Sequence, residues 1–472
     1  MRFRDAVRVL FVGIVVASSF VVASGYMSAE ASSSSADGRP TFDAAPRDGI
    51  TVVATDSNTW MGKAGDGPRA RAELVAFAPD GSVMYYNDTH TRYWDVDPVK
   101  GTETTVEYVA ADHLNASECH ATEPCTRNVV ERVNLTTGEV TRLYGRITPG
   151  KHSTRWHDAD RVDEDSIAIA DIAQDRVYVV NTTSGLIEWE WDAQSDYSTA
   201  SGGPYPEDWT HLNDVEVLAD GTIMASLRNQ DQVVFLDRET GLVENRTLGE
   251  DGAHDIIYEQ HNPDYINSSN GGPAVLVGDS ENNRVVEYQR EEGEWVRSWT
   301  WQDARMQWPR DADRMPNGHT LITDSNGNRV FEINEEGEVV WSVDVAFPYE
   351  SERLNTGDES SGGPSAAEAN LGEASGGGDG NGEGSAGESG GQVVADREET
   401  GLLDRAWAVV RGLLPGRTAN GLMYVTPVWM GGPEVLALGA IVLTLLVWLV
   451  CEAYWSSWSA SVHKPVSLSR RK

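Results

Sequence analysis

The stretch Trp156-His157-Asp158-Ala159-Asp160-Arg161-Val162 returns later in the chain as Trp308-Pro309-Arg310-Asp311-Ala312-Asp313-Arg314-Met315. Both copies run on in register: Val177-Tyr178-Val179-Val180-Asn181 and Val330-Phe331-Glu332-Ile333-Asn334 begin nineteen positions after Asp158 and Asp311. A third copy starts at Asp214 and reaches Val233-Val234-Phe235-Leu236-Asp237 at the same offset. A fourth, looser copy starts at His254-Asp255, carries an insertion around 261–271 and ends in Asp279-Ser280-Glu281-Asn282-Asn283-Arg284-Val285. The first copy is Glu73–Gly81, with Tyr93-Trp94-Asp95-Val96-Asp97 in its late position. A period of roughly 40–55 residues indicates a repeat architecture.

Each copy reads as four short strands. In the third, Val215–Leu218 and Thr222–Leu227 alternate, Val233–Leu236 is apolar, and Ala219-Asp220-Gly221 and Thr240-Gly241 are turns. Such strands with Asp-Gly or Thr-Gly between them are hairpin signals. One small sheet cannot bury both faces, whereas sheets packed radially can, and that arrangement is the β-propeller. The prediction is an all-β propeller of five or six blades over 50–350, with Ile50–Ala54 supplying a strand to a further or final blade.

The chain has 37 Lys+Arg against 74 Asp+Glu, a formal net charge of −37, which argues against nucleic acid or any other polyanionic partner. Lysine is scarce and aspartate heavily used, a balance that resembles proteins of extreme halophiles. Residues 1–31, with Arg2, Arg4 and Arg8 before an apolar run, form an export signal or a retained membrane anchor, followed by a spacer over 32–49. Residues 355–392 read as an acidic Gly/Ser-rich disordered linker. An amphipathic helix over 401–415 lies on a membrane surface or on the propeller. Residues 433–455 form a transmembrane helix, and 456–472 a short basic cytoplasmic tail. The basic residues at both ends place the propeller on the extracellular side of the cell membrane. Six Asn-x-Ser/Thr sequons, at Asn87, Asn115, Asn134, Asn181, Asn245 and Asn267, agree with that side. Cys119 and Cys125 are placed for a local disulfide; a Cys/His metal site with His120 lacks a fourth ligand nearby.

Equivalent positions of successive blades form a ring around a propeller's channel. The position before the marker aspartate is His157, Asn213 (with His211 two residues earlier), His254 and Arg310. Arg228 adds a cation where other copies have Ile172, Ser280 and Ser325. Gathered on an acidic protein, these groups can bind an anion, exchange protons and act as nucleophiles. Set against this, His-Asp pairs at strand starts also serve blade-to-blade hydrogen bonding. The recurring Asp158, Asp214, Asp255 and Asp311 are read as structural. His261, in the fourth copy's insertion, can fold over the channel.

Thr210-His211-Leu212-Asn213-Asp214-Val215, through Asp220-Gly221-Thr222 to Ser226-Leu227-Arg228, resembles the segment of the arylsulfotransferase (aryl-sulfate sulfotransferase) family that carries an active-site histidine and a following arginine. With the halophile-like composition, the likeness is to a haloarchaeal type, over about residues 70–345. The resemblance implies a six-bladed propeller that moves a sulfuryl group between phenols through a sulfated histidine, without a nucleotide donor. It implies His254 or His261 as nucleophile, His157, His211 and Arg228 as catalytic partners, and Arg310 and Asn213 as substrate contacts. Partners would be an aryl sulfate, a phenolic acceptor and the membrane. No motif implies a metal or organic cofactor. The chain departs from the bacterial enzymes in lacking their N-terminal β-domain. The alternative is a non-catalytic surface propeller that binds a glycan, peptide or partner protein.

Overall fold

Alternation of apolar and polar residues, broken by tight turns, builds every blade. In the repeat with the clearest pattern, Ile223–Leu227 is buried throughout and sits between neighbours, with Val215 opposite Ala225 and Ala225 opposite Val234. Its first turn closes because Asp220 Oδ1 accepts from Thr222 N at 2.9 Å and Gly221 takes φ 85°, a conformation that favours glycine.

The computed structural model describes residues 3–32, 40–57, 72–150, 154–371, 391–394 and 401–456. It has six blades. Blade 1 combines Thr51–Thr55, Leu74–Phe77 and Val83–Asn87 with Pro348–Arg353 from the other end of the repeat region, so the two ends close the ring within one sheet. Blade 2 is Arg92–Pro98, Thr105–Leu114, Cys125–Asn134 and Val140–Pro149. Blade 3 has Ser166–Asp171, Arg176–Asn181 and Ile187–Asp192; its inner edge is 156–161, tied by the bridges Trp156↔Asp171 and Arg161↔Ile167. Blade 4 runs from Leu212–Val217 through Ile223–Leu227 and Gln232–Asp237 to two short outer pieces. Blade 5 is His261–Ile266, Ala274–Asp279, Arg284–Glu291 and Glu294–Gln302, with Gly391–Val394 added in parallel at its rim. Blade 6 is Pro309–Arg314, Thr320–Asp324, Arg329–Ile333 and Val339–Asp344.

The core lies between blades. Val53, Val75 and Phe77 of blade 1 pack on Leu321, Val330, Trp341 and Val343 of blade 6. Each fully buried side chain of this size is worth about 1.5–3 kcal/mol.

Three features differ from the sequence reading. Tyr93–Asp97 lies in the innermost strand of blade 2, because Val83–Asn87 already fills the outer position of blade 1. The innermost strand of blade 5 begins at His261, and the extra residues sit in the hairpin turn after Ile266, while 254–258 belong to the preceding loop. Residues 355–371 are folded against the propeller: Ala366 N donates to Glu287 at 2.8 Å, and Ala366 and Leu371 join the core of blades 5 and 6. The rest of the expected linker, 372–390, lies outside the described residues, as do 33–39 of the spacer and 457–472 of the basic tail.

Two helices follow, α2 (Leu402–Gly412) and α3 (Gly416–Val425), both packed on blades 5 and 6. Trp407 is buried, with its indole N–H on Gln307, and Arg411 donates to Met306 O. Gly416 comes so close that a Cβ there would stand 2.1 Å from the carbonyl oxygen of Glu281.

A separate unit comprises Met1–Thr41 and Trp429–Lys472. Its two apolar helices, α1 (Phe3–Ser32) and α4 (Gly432–Trp455), are each long enough to cross a membrane and are candidate spans. They lie antiparallel. Arg8 makes a bidentate pair with Glu452 at 2.6 and 2.7 Å, and at the other end Tyr26 meets Trp429 with ring centroids 5.4 Å apart. Cys119 and Cys125 in blade 2 have their sulfurs 1.98 Å apart.

Candidate active site at the channel mouth

The first residues of the innermost strands build the mouth. A left-handed residue opens the strand in three blades, His211 (φ 47°), Trp308 (φ 64°) and Phe347 (φ 53°), and Glu259 (φ 46°) does so in blade 5. Counting two positions on from each gives the ring: Asn213, Arg310, Tyr349 and His261, with His157 and Trp94 at the matching places of blades 3 and 2. The next position is acidic or Asn: Asp95, Asp158, Asp214, Asn262, Asp311 and Glu350.

These second-tier carboxylates lace the blades together. Asp158 accepts from Val215 N at 2.6 Å, Asp311 from Ser351 N at 3.0 Å, Asp95 from Ala159 N at 3.2 Å and Glu350 from Val96 N at 2.8 Å. Burial raises Asp158 to about 6 even against these bonds.

In the ring, His157 lies 5.3 Å from His211 and 5.4 Å from Tyr349 by ring centroids, and its Nδ1 is 3.0 Å from the Tyr349 hydroxyl. Burial, with help from His211, Arg155 and Arg310, holds His157 well below the ordinary imidazole range, so it is neutral. His211 Nδ1 is 2.7 Å from Asp208; burial lowers its pKa and Asp208 partly restores it.

His261 carries the most defined geometry. Its Nδ1 lies 2.9 Å from Ser280 Oγ and 3.2 Å from the carbonyl of Glu259. Ser280 Oγ donates its own proton to Pro309 O at 2.7 Å, and a carbonyl can only accept. The proton of His261 therefore sits on Nδ1, and Nε2 keeps its lone pair. Burial, then Arg310 and Arg228, depress His261 well below the usual range, so the ring is neutral and nucleophilic.

The cations around these rings have donors to spare. Arg310 stacks on Trp308 (4.5 Å) and Tyr349 (4.4 Å), and Arg228 pairs with Glu259. The Nε atoms of Arg155, Arg228 and Arg310, and Nε2 of His157, are buried without a partner. A buried donor left unpaired costs about 1–3 kcal/mol, and an oxyanion is the chemistry that would satisfy several at once.

The geometry gathers most of the residues the sequence pointed to, His157, His211, Asn213, Arg228, His261 and Arg310. His254 is not among them. It is on the loop before blade 5, about half exposed, stacked on Tyr258 at 3.7 Å with Nε2 3.3 Å from Asp231. Arg155, Arg92 and Tyr349 were missed. A signal existed: Arg155 and Arg92 stand two residues before the ring position of their blades, as His211 does in its own. The six sequon asparagines lie near the ends of strands and none is buried.

The mouth is covered. Tyr424 of α3 packs on Trp308 (5.7 Å) and Phe347 (5.6 Å), and Arg417 pairs with Glu259 at 2.8 Å. Asn420, fully enclosed, donates to Glu281 at 2.9 Å and accepts from Gln307 and Asn326.

Fold and site define a six-bladed propeller with a basic, histidine-bearing mouth. The family model described as Arylsulfotransferase (ASST) matches residues 81–346, more than half of the chain, and the chain belongs to that family. The search of curated proteins found no match. Among solved structures the chain is similar to a protein of unknown function from Bacteroides caccae (11% identity, TM-score 0.43, 65% of this chain and 99% of that one). It is similar to the periplasmic gluconolactonase of Pseudomonas aeruginosa (13% identity, TM-score 0.41, 67% and 100%) and to virginiamycin B lyase from Staphylococcus aureus (11% identity, TM-score 0.33, 54% and 70%). At these values the likenesses carry no argument about function.

Proposed function

We propose that the mouth transfers a sulfuryl group from a phenolic sulfate to a phenolic acceptor, with His261 as the nucleophile. What supports this is a neutral imidazole, anchored through Nδ1 and open at Nε2, beside three arginine Nε groups and His157 Nε2 that lack partners. In the first half-reaction Nε2 attacks sulfur, the N–S bond forms as the sulfur–phenolic oxygen bond breaks, and the phenolate departs with the electron pair as the anion, while neutral His211, oriented by Asp208, remains free to act as a base. In the second, the acceptor oxygen attacks sulfur, its proton passes to His211, and the N–S bond breaks to free His261. The arginines neutralise the non-bridging oxygens throughout.

The test is p-nitrophenyl sulfate with phenol and the full chain in detergent and molar salt, reading nitrophenolate. Release that needs phenol, disappears in His261→Ala and persists in His254→Ala agrees with the proposal. Loss in His254→Ala with retention in His261→Ala removes it. The alternative, a non-catalytic binding propeller, draws on the cover that α3 places over the mouth. Saturable binding of aryl sulfates without turnover would favour it.

The antiparallel pairing of the two apolar helices, with Arg4 and Arg8 of the first beside Trp455 and Glu452 of the second, supports a retained two-helix membrane anchor. On this reading the propeller faces the exterior, where the sequons would be accessible.

A further inference from the structure

Below the mouth, the same innermost strands carry a second acidic tier: Asp97, Asp160, Glu216, Asp264, Asp313 and Glu352, two residues beyond the lacing positions. The chain that follows blade 1 crosses this end of the channel and adds Asp358 and Glu359, with Glu359 N donating to Glu352 at 2.9 Å.

Asp264 and Asp313 of this tier, Asp311 of the lacing tier above it and Glu359 of the crossing segment each bring one carboxylate oxygen to within 4.8 Å of the others. The three aspartates are at most 3% exposed. Each keeps an oxygen that is buried without a partner: Asp264 Oδ1, Asp311 Oδ1 and Asp313 Oδ2. The second oxygens of two are held in place by the protein. Asp311 Oδ2 accepts from Ser351 N (3.0 Å) and Thr323 Oγ1 (3.1 Å), and Asp264 Oδ2 accepts from Ser360 Oγ of the crossing segment. Among the described residues none of the four forms an ion pair. The nearby Arg314 is engaged by Glu287 at 3.3 Å and by Thr320. The other acidic group, Asp95, Asp97 and Glu350, differs in kind, since Glu350 spends both oxygens on Val96 N and Asn262 Nδ2.

Four carboxylates gathered within one small volume, three of them with an unused buried oxygen, make a set of hard anionic ligands. An all-carboxylate set supplied by the protein suits Ca²⁺, which takes about six to eight oxygen ligands in a flexible shell, better than Mg²⁺, which keeps several of its waters and is seldom held in an all-protein cage. A cavity of about 720 Å³ lined by Asp160, Glu216, Asp358 and Glu359 opens beside the tier and supplies a route from solvent. We propose that Asp264, Asp311, Asp313 and Glu359 bind one Ca²⁺-class divalent cation. It fastens the crossing segment to blades 5 and 6 and uses none of the residues assigned to sulfuryl transfer.

The experiment is calorimetric titration of chelator-treated full-length chain with CaCl₂ and then MgCl₂ in high-salt buffer, with unfolding midpoints recorded with Ca²⁺ and with chelator. One Ca²⁺ per chain, at least tenfold weaker Mg²⁺, and a midpoint raised by Ca²⁺ are expected. Asp313→Asn should weaken Ca²⁺ at least tenfold while Asp97→Asn leaves it within threefold. If Asp313→Asn does not fold, Glu359→Gln on the crossing segment makes the same comparison. No binding heat and an unchanged midpoint would overturn the proposal, as would loss of binding in Asp97→Asn but not in Asp313→Asn or Glu359→Gln. Aryl-sulfate turnover is not a readout here, so the two proposals fail independently.

Discussion

Raising the pH should remove a defined part of the stability of blade 2. His90 is buried, with Nδ1 3.1 Å from Asp112 and Nε2 3.1 Å from Glu131. Burial disfavours the charged ring, yet the hydrogen bonds to Asp112 and Glu131 outweigh it and raise His90 from 6.5 to about 9. Glu131 gives the complementary view: burial is overcome by His90, Tyr108 and Arg142, which lower it from 4.5 to about 2. The two displacements share the His90–Glu131 contact and are not added. At about 1.36 kcal/mol per pH unit, the His90 displacement corresponds to about 3 kcal/mol. Because the folded pKa is the higher one, this stability is fully present below 6.5 and disappears as pH rises through 9. For Glu131 the sign is opposite, with loss as pH falls from 4.5 through 2. Urea unfolding of the parent chain and His90→Gln in the same salt and detergent isolates the contribution, since all other titrating groups are shared. A gap of about 3 kcal/mol at pH 6 that closes by pH 10 is expected. A gap that stays constant between these pH values would refute the electrostatic account and leave packing as the role of His90.

Three other outcomes follow from the geometry. Ser280→Ala should lower kcat of sulfuryl transfer by about 10–100-fold with little change in KM, because it loosens His261 without touching the substrate pocket. Equal loss in both constants would mean Ser280 contacts the substrate. Tyr424→Ala, which removes the side chain lying over Trp308 and Phe347, should raise kcat/KM for bulky aryl sulfates; an unchanged value would show that α3 is not in the route of entry. The intact mass of the protein extracted from membranes should include residues 1–32, whereas a mass short of that segment would show that the N-terminal helix is cleaved.

The propeller was legible because strand alternation and Asp-Gly turns are local properties, repeated at a fixed offset, and Asp158, Asp214 and Asp311 marked one position in three blades. The membrane-length helices and the pair Cys119–Cys125 were legible for the same reason. Register in blade 5 was not. His254-Asp255 mimics the marker pair, and only the pairing of His261–Ile266 with Ala274–Asp279 shows that the added residues fill a turn and that His261 takes the ring position. Nor does local pattern say that 355–371 folds across the channel, that α3 covers the mouth, or that Asp264, Asp311, Asp313 and Glu359 converge. Local pattern along the chain specifies the repeat, its strands and the supply of histidines, arginines and acids. Tertiary structure alone decided which of them face one another, because ring closure joins Thr51–Thr55 to Pro348–Arg353 and sets the tiers by contacts between residues far apart in the chain.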